Sequence, residues 1–262
     1  MLSATYNCNS IRTRLDLVLD WLRAQQPDLL ALQETKVVDE LFPAAPFREL
    51  SYHVTFRGMK AYNGVALLSR RPPDDVRFGF DDAGPADAPR LLHARFGALH
   101  VVNTYVPQGR AIDHPMFAYK VDWFARLRRW FDARFTPADL VLWLGDLNVA
   151  AEPIDVNNPE ERADHVCYHA AARRVFADCR AWGFEDVFRR FNPGPGHYSF
   201  FDYRKPFTPD RKEGWRLDYQ LATRPLAARA RASIIDLAPR AAPRPSDHTP
   251  VLAEFAVNFA RE

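Results

Sequence analysis

The chain has 262 residues, of which 47% are hydrophobic and 26% charged, so it can bury a sizeable core and is unlike disordered chains. Its 11 glycines and 21 prolines follow no repeat, which excludes collagen-like proteins. The 35 basic and 33 acidic residues leave a net charge of +2, far below that of a protein that coats nucleic acid passively. Net charge therefore does not identify a partner.

The lack of a membrane-spanning stretch and of an export signal in the sequence indicates the cellular compartment. No stretch approaches the roughly 18 consecutive apolar residues of a membrane span, and the first residues do not resemble an export signal. The three cysteines, Cys8, Cys167 and Cys179, are far apart, which argues against a disulfide framework and against a thiolate metal site. We therefore predict a cytoplasmic protein without membrane contact.

The first half of the chain is predicted to begin with a strand, a helix and a second strand. Residues 2–8 alternate apolar and polar side chains, as in a half-buried strand. Apolar residues at helical spacing predict a helix over 11–25, with Ser10 as its N-cap and Pro27 after its end. The strand DLLALQE follows, and then come four strand-like runs, 52–56, 64–69, 91–96 and 99–106.

The second half continues this alternation. An amphipathic helix is predicted over 116–135, with a basic face that includes Arg126 and that we expect to be solvated. The apolar run DLVLWLG predicts a central strand covered on both faces. A helix over 169–182 and strands in HYSFF, WRLDYQLA, 229–237 and PVLAEFAV complete the pattern. No linker appears, so we predict one α/β domain, residues 1–262.

Polar side chains stand where several apolar runs end. They are Asn7, Glu34, Asp146 with Asn148, and Asp247 with His248. Because strand ends and their loops form the ligand crevice of layered α/β folds, these side chains are candidates for one shared site. Taken singly, each is more often a cap or a turn residue, since Asn and Asp are common in both.

The oxygen atoms of this set indicate a metal. Carboxylate and amide oxygens such as those of Glu34, Asn7 and Asp247 suit a hard cation, which we expect to be Mg²⁺, with Mn²⁺ as the alternative. Such an ion is usually held by one or two carboxylates together with water and substrate phosphate. A sparse site of this kind therefore favours phosphate chemistry.

Six short segments occur in a characteristic order: ALQETK, GVALLSR, YVPQG, GDLNV, RLDY and SDHTPV. In this order they resemble the exonuclease III family of abasic-site endonucleases, within the wider superfamily of endonucleases, exonucleases and phosphatases. YVPQG and FFDYR narrow the resemblance to the DNA-repair branch. It extends over nearly the whole chain and implies a four-layered α/β sandwich, in which two mixed β-sheets pack face to face with helices on both outer sides.

The resemblance also implies roles for single residues. Glu34 is expected to be the principal metal ligand, with Asn7 nearby and Asp247 in or next to the ligand set. Asp146 is expected to deprotonate or orient the attacking water, and Asn148 to hold that water together with a phosphate oxygen.

Further roles concern the phosphate and the DNA backbone. Asp218 is expected to pair with His248 and to favour its imidazolium form, which then donates to a phosphoryl oxygen. The hydroxyl of Tyr105 is expected to donate toward developing negative charge. Gln108 and Lys120 are weaker candidates for contacting DNA phosphate.

Aromatic residues near the end of the chain resemble the wall of a pocket for an abasic sugar. The wall residues are Phe200, Trp215 and Leu217, which would admit a flipped nucleotide that lacks its base. Aromatic residues in strands are equally often core, so both interpretations stay open for Phe200 and Phe201. Phe201 stands where many family members have tryptophan, which bears on the balance of exonuclease and endonuclease activity.

The implied function is a metal-dependent phosphodiesterase on duplex DNA, with abasic-site endonuclease and 3′-to-5′ exonuclease or 3′-end-cleaning activity in base excision repair. We expect it to act as a monomer. One alternative is a phosphatase or phosphodiesterase of the same fold with a non-nucleic-acid substrate. Another is a catalytically inactive regulator that binds nucleic acid, which the intact set of polar residues disfavours.

Overall fold

A computed structural model of the protein describes residues 1–208, 210 and 213–259. Its strands are β1 (Leu2–Asn7), β2 (Leu29–Gln33), β3 (His53–Arg57), β4 (Val65–Ser69), β5 (Asp75–Phe78), β6 (Leu91–Phe96), β7 (Leu99–Tyr105), β8 (Leu140–Asp146), β9 (Phe184–Asp186), β10 (Asp218–Thr223), β11 (Ala230–Ile235) and β12 (Val251–Phe255). Its helices are α1 (Leu15–Gln25), α2 (Ala44–Glu49), α3 (Pro115–Arg134), α4 (Ala170–Arg180), α5 (Val187–Phe191), α6 (Arg224–Ala227) and α7 (Ala238–Ala241).

The strands form two mixed six-stranded sheets. The first sheet has the order β11-β12-β1-β2-β4-β3, and the second has the order β5-β6-β7-β8-β10-β9. Each sheet contains a parallel pair, β1 with β2 in the first and β7 with β8 in the second. Both parallel pairs are flanked by antiparallel strands, β12 and β4 in the first sheet, β6 and β10 in the second.

Alternation along the central strands sorts their side chains into layers. In β2, Leu29 and Ala31 pack in the layer between the two sheets, whereas Leu30 and Leu32 pack in the layer that contains α1. The residues of β8 alternate in the same way between the inner layer and the layer that contains α3 and α4. The order of layers is helix, sheet, sheet, helix, which confirms the predicted four-layered sandwich.

Buried polar side chains connect the two sheets. Gln33 of β2 donates through Nε2 to Asn103 Oδ1 of β7 at 2.7 Å. Asn103 in turn donates to the carbonyls of Leu32 and Ala66 in the first sheet, at 3.1 and 2.9 Å. These groups have no access to water, so a sliding of one sheet over the other would leave them unpaired. These buried hydrogen bonds between the sheets, which we call the seam, therefore determine how the two sheets lie relative to each other.

Two local predictions were wrong. Ser10 does not cap α1: the N-cap is Arg14, without a side-chain cap bond, and Ser10 lies in the turn before the helix. HYSFF does not form a regular strand, since Phe200 makes only isolated bridges, to Trp215 and to His248. The short strands β5 and β9 were not predicted, because runs of four and three residues carry no readable period.

Arg126 of α3 was predicted to be solvated and is instead buried. Its guanidinium forms ion pairs with Asp82 at 2.8 Å and Asp87 at 2.6 Å. A loop that comes from another part of the chain thus covers this part of the helix, which the helical pattern alone does not reveal.

Within the residues described, none of the helices combines the length and the apolarity needed to cross a bilayer. The three cysteines are buried free thiols.

Candidate active site

The polar residues at the strand ends meet at one end of the two sheets. Asn7 is the last residue of β1, and Asp146 is the last residue of β8. Asp218 begins β10 and is paired with Asp146, because an antiparallel strand starts where its neighbour ends. Glu34 directly follows β2. The Nδ2 of Asn7 donates to Asp146 Oδ2 at 2.8 Å and to Glu34 Oε1 at 2.9 Å, so one amide bridges two carboxylates.

Gly145, the glycine of the GDLNV segment, allows β8 to lie close to β7 beside the site. Gly145 has φ +140°, and a Cβ at this position would lie 2.0 Å from the carbonyl oxygen of Thr104 in β7. Only glycine fits at such a distance and such a dihedral angle. The neighbouring residue pair in the ladder is Tyr105 and Asp146, so this close packing brings the tyrosine beside the carboxylate.

His248 lies between the two buried aspartates, hydrogen-bonded to Asp218 and within ion-pair distance of Asp146. The Nδ1 of His248 lies 2.8 Å from Asp218 Oδ2, and its Nε2 lies 3.8 Å from Asp146 Oδ2. Burial alone would lower the pKa of His248, but Asp218 and Asp146 outweigh burial and raise that pKa to about 10. The imidazolium is thus the stable form at neutral pH. Burial raises the pKa of Asp146 to about 7, with His248 opposing and Asp218 and Glu34 adding to the rise.

Glu34 has a different electrostatic environment. Burial favours its neutral form, but the ammonium of Lys36 at 2.6 Å and the hydrogen bond from Asn7 lower its pKa below the ordinary value. The pKa of Tyr105 is raised well above its ordinary value by burial and by Glu34 and Asp146. Glu34 is therefore a carboxylate and Tyr105 a neutral hydroxyl. Lys36 was not singled out from the sequence, although it stands in the segment ALQETK.

A cavity of about 400 Å³ opens onto this group. The predicted site residues that line it are Glu34, Tyr105, Gln108, Asn148, Phe200, Trp215, Leu217, Asp247 and His248. Asn7, Asp146 and Asp218 lie behind this lining and hydrogen-bond to it. Most of the lining is thus polar or charged, and the aromatic rings of Phe200 and Trp215, which we call the aromatic wall, lie among these groups. Phe201 is not part of the lining, since it is buried in a cluster with Tyr198 and Phe207.

Lys120 is placed differently from the prediction. Its side chain is 0% exposed, and its Nζ donates to the carbonyls of Gln108, Asn148 and Val166. An ammonium that donates to three carbonyls has no donor left for DNA, so the predicted phosphate contact of Lys120 is corrected by this geometry. Gln108 differs, because its side chain is exposed at the cavity.

Several lining residues were not predicted. They include Arg162, His165, Cys167 and Arg204, which come from two loops. The ring of His165 lies 4.4 Å from that of Trp215 between centroids. Burial lowers the pKa of His165 to about 4, so this ring is neutral at physiological pH. A sequence signal for these loop residues is missing, because their position depends on how the loops fold back over the strand ends.

The cavity fits a hard divalent cation. The carboxylates of Glu34 and Asp247 line it, and carboxylate oxygens of Asp146 and Asp218 lie within 4.8 Å of each other behind the lining. The one lining thiol, Cys167, has a pKa raised by burial and is therefore not a thiolate. The oxygen of Asn7, predicted as a ligand, accepts from the backbone amide of Asn9 at 3.0 Å, so Asn7 contributes its nitrogen to the bridge.

The sequence profile of the endonuclease/exonuclease/phosphatase family matches residues 4–248. The chain belongs to this family. It is 34% identical to exodeoxyribonuclease III of Haemophilus influenzae over 263 residues, which covers 96% of this chain and 98% of the relative. The resemblance predicted from the short segments is thereby confirmed.

Solved structures of the endonuclease/exonuclease/phosphatase family agree with the fold. An AP endonuclease from Archaeoglobus fulgidus has 45% sequence identity and a TM-score of 0.95, over 98% of this chain and 100% of that one. A 3′ phosphatase from Neisseria, solved with a product DNA hairpin, has 35% identity and a TM-score of 0.91, over 98% of this chain and 100% of that one.

Proposed function

We propose that the protein is a metal-dependent hydrolase of phosphodiester bonds in duplex DNA, which incises at abasic sites and removes groups from 3′ ends. The observation that carries the proposal is the meeting of Asp146, Glu34 and the pair Asp218 and His248 at one cavity with an aromatic wall. Relatives named as exodeoxyribonuclease III and as AP endonuclease support DNA as the substrate class.

In this mechanism Asp146 orients the attacking water and accepts its proton. Burial raises the pKa of Asp146 to about 7, close to the value that suits a general base at neutral pH. Asn148 steadies this carboxylate: its backbone amide donates to Asp146 Oδ1 at 2.9 Å and its Nδ2 lies 3.2 Å from Asp146 Oδ2. The base is therefore held in one orientation before substrate arrives.

Two donors face the developing charge on phosphate. The imidazolium of His248, oriented by Asp218, belongs to the cavity lining and is the proposed donor to a phosphoryl oxygen. Tyr105 is a neutral hydroxyl and is a donor rather than a base. Donors fixed in a water-poor site stabilise a charged transition state strongly, because they need no reorganisation.

Glu34, with Asp247 as a second carboxylate, is the proposed holder of the metal. The fit of a metal ion is supported by the ionised state of Glu34 and by the carboxylate oxygens of the lining, which can bind a cation. A bound Mg²⁺ or Mn²⁺ supplies charge neutralisation on the phosphoryl oxygens. The ammonium of Lys36 lies 2.6 Å from Glu34, so a metal would share this carboxylate with Lys36 or displace the ammonium.

The aromatic wall is proposed to choose the substrate. Phe200, Trp215 and Leu217 line the cavity beside the polar residues, and about 400 Å³ is in the range of small-ligand pockets. A nucleotide without a base unstacks easily and leaves room for aromatic side chains where the base would lie, whereas an intact nucleotide resists extrusion. Gln108 and Arg204 at the same cavity are the proposed contacts to the DNA backbone.

A phosphoester substrate without nucleic acid and an inactive DNA-binding regulator are disfavoured. The relatives are named as nucleases and a 3′ phosphatase solved with DNA. The complete set of polar residues at the cavity argues against the regulator. We further propose that residues 1–262 form one domain that acts as a monomer in the cytoplasm, as inferred from the sequence.

The test is cleavage of an end-labelled duplex with one abasic-site analogue, run beside an intact duplex and a duplex with a 3′ phosphate. Each is incubated with Mg²⁺, with Mn²⁺ and with a chelator. Incision at the analogue only with metal supports the proposal, and the intact duplex reports the exonuclease activity. Binding without cleavage under every metal condition would support the inactive regulator, and neither binding nor cleavage would support another phosphoester substrate.

A further inference from the structure

Lys120 lies below the cavity, where no solvent reaches it. Its Nζ donates to three backbone carbonyls, of Asn148 at 2.6 Å, Val166 at 2.8 Å and Gln108 at 3.1 Å. We call these three acceptors the carbonyl cradle. An ammonium has three N–H donors and a neutral amine only two, so three acceptors at bonding distance require the charged form. Burial lowers the pKa of Lys120, but Cys167 and Asp146 oppose that effect.

The three carbonyls belong to three separate loops, each of which carries cavity residues. Gln108 lies in the loop that follows Tyr105, and Asn148 lies in the loop that follows Asp146. Val166 lies between His165 and Cys167, which line the cavity. Among the described residues, only the side chain of Lys120 hydrogen-bonds to all three carbonyls. Lys120 belongs to α3, a helix that does not line the cavity.

The carbonyl of Asn148 belongs to a residue with an unusual backbone. Asn148 has φ +50°, a left-handed conformation that non-glycine residues adopt only where their surroundings hold it. In this conformation its amide nitrogens lie near Asp146, as described above, while its carbonyl points down to Lys120. The bond to Lys120 therefore stabilises the turn that steadies the proposed base.

We propose that Lys120 is a positioning residue, whose buried ammonium locks the loops of Gln108, Asn148 and Val166 in the arrangement that the reaction needs. It touches neither substrate nor metal and acts through the loops. This inference rests on the proposed function for its effect on turnover. Misplacement of catalytic groups by about 1 Å can cost on the order of 100-fold in rate, so the loss of this lock is expected to reduce turnover strongly.

The experiment uses Lys120→Met, which keeps the length of the side chain and removes its donors. The matched control is Leu127→Ala, a buried position two turns further along α3 that contacts none of the three loops through hydrogen bonds. For both variants and the wild type, four quantities are measured: the thermal midpoint, kcat on the abasic duplex, Kd for the uncleaved duplex with chelator, and hydrogen exchange of peptides covering 106–110, 147–150 and 164–168.

We expect Lys120→Met to lower kcat by about 100-fold with Kd within about threefold of wild type, and to speed exchange in all three loops. Leu127→Ala is expected to lower the thermal midpoint with kcat within about threefold of wild type. The proposal is overturned if Lys120→Met keeps wild-type kcat, if exchange in the three loops is unchanged, or if Leu127→Ala loses turnover to the same degree.

Lys120→Gln is the second variant, to be used where Lys120→Met does not fold. Its amide keeps two donors, so it is expected to fold, with kcat between those of wild type and an unlocked site. Wild-type kcat in this variant, or failure of both variants to fold, would make Lys120 a residue of general stability and overturn the proposal. If the wild type cleaves no DNA, the proposed function fails, and the exchange comparison still tests the lock, since it needs no turnover.

Discussion

The amide of Asn7 donates to the carboxylate of Asp146 at 2.8 Å, across 139 positions of the chain. Asn7 ends β1 in one sheet and Asp146 ends β8 in the other, so this bond joins the carboxyl ends of two strands in different sheets. The candidate site therefore lies on the seam between the sheets. Its geometry depends on the packing of the whole sandwich, and the predictions below test the residues on both sides of that seam.

Asp146→Asn is expected to abolish the proposed base with little change to the fold. Turnover should fall by about 100- to 10,000-fold, since the amide cannot accept the proton, while the affinity for duplex DNA is retained. The measurement is single-turnover cleavage together with DNA binding in chelator. Asp132→Asn, an exposed carboxylate on α3, is the control. Turnover near wild type in Asp146→Asn would remove Asp146 from its assigned role.

Glu34→Gln is expected to weaken the metal site. The neutral amide loses the charge that attracts the cation, so the Mg²⁺ concentration for half-maximal cleavage should rise by about tenfold or more. A metal titration of activity and a direct Mn²⁺ binding measurement report the change. Glu40→Gln, an exposed position in a single turn of 3₁₀ helix, should leave both unchanged. An unaltered metal requirement in Glu34→Gln would assign the metal to other residues.

Asn103→Ala is expected to weaken the seam. It leaves the carbonyls of Leu32 and Ala66 without the buried amide that donates to them, while the Nε2 of Gln33 keeps Thr5 Oγ1 as an acceptor. Each buried polar group left unsatisfied costs about 1–3 kcal/mol, so the free energy of unfolding in urea should fall by at least about 2 kcal/mol. Ser233→Ala, which removes a single buried hydrogen bond in the edge strand β11, should cost less. Equal losses in the two variants would contradict the importance of the seam.

The stability of the fold is expected to decrease in mild acid because of His93. Burial, followed by the neighbouring His100, lowers the pKa of His93 from 6.5 to about 4. Between these values the unfolded chain binds a proton at this position and the folded chain does not, so this contribution to stability is complete above pH 6.5 and is lost as the pH falls toward 4. Urea unfolding from pH 8 to pH 4 measures the loss.

His93→Phe should make this pH dependence shallower. The ring fits the aromatic cluster of Trp130 and Phe135 around this position and carries no ionisable group. His53→Gln, an exposed position on β3, is the control and should leave the slope unchanged. A slope in His93→Phe identical to that of wild type would show that other groups cause the acid sensitivity.

Binding to duplex DNA is expected to weaken as salt rises, because contacts to phosphate release counterions. Arg204 lines the cavity with a side chain that is 89% exposed, and Arg204→Gln should lower the salt slope by about one. Arg224 is the matched control: its side chain is 84% exposed, but it follows the far end of β10. An equal reduction of the salt slope by Arg204→Gln and Arg224→Gln would contradict a DNA-binding surface centred on the cavity.

The sequence alone was informative where a run of apolar residues marks a strand and a polar residue marks the end of that run. β2 and β8 could be predicted because apolar residues run without a break through buried strands, and Glu34 and Asp146 could be selected because polar groups stop those runs. Arg126 and Lys120 were assigned wrongly for one common reason. Both lie on α3, and the helical pattern does not show which of its basic side chains are covered by loops from other parts of the chain.

Fold class, strand ends and the chemical character of the site thus follow from local pattern, because burial and hydrogen-bonding requirements act on neighbouring residues in the chain. The bridge from Asn7 to Asp146, the pairing of His248 with Asp218 and the cradle of Lys120 join residues that are 12 to 139 positions apart. Such contacts are decided by the packing of two sheets across a buried polar seam. The tertiary structure determines them, because each requires partners that no local pattern specifies.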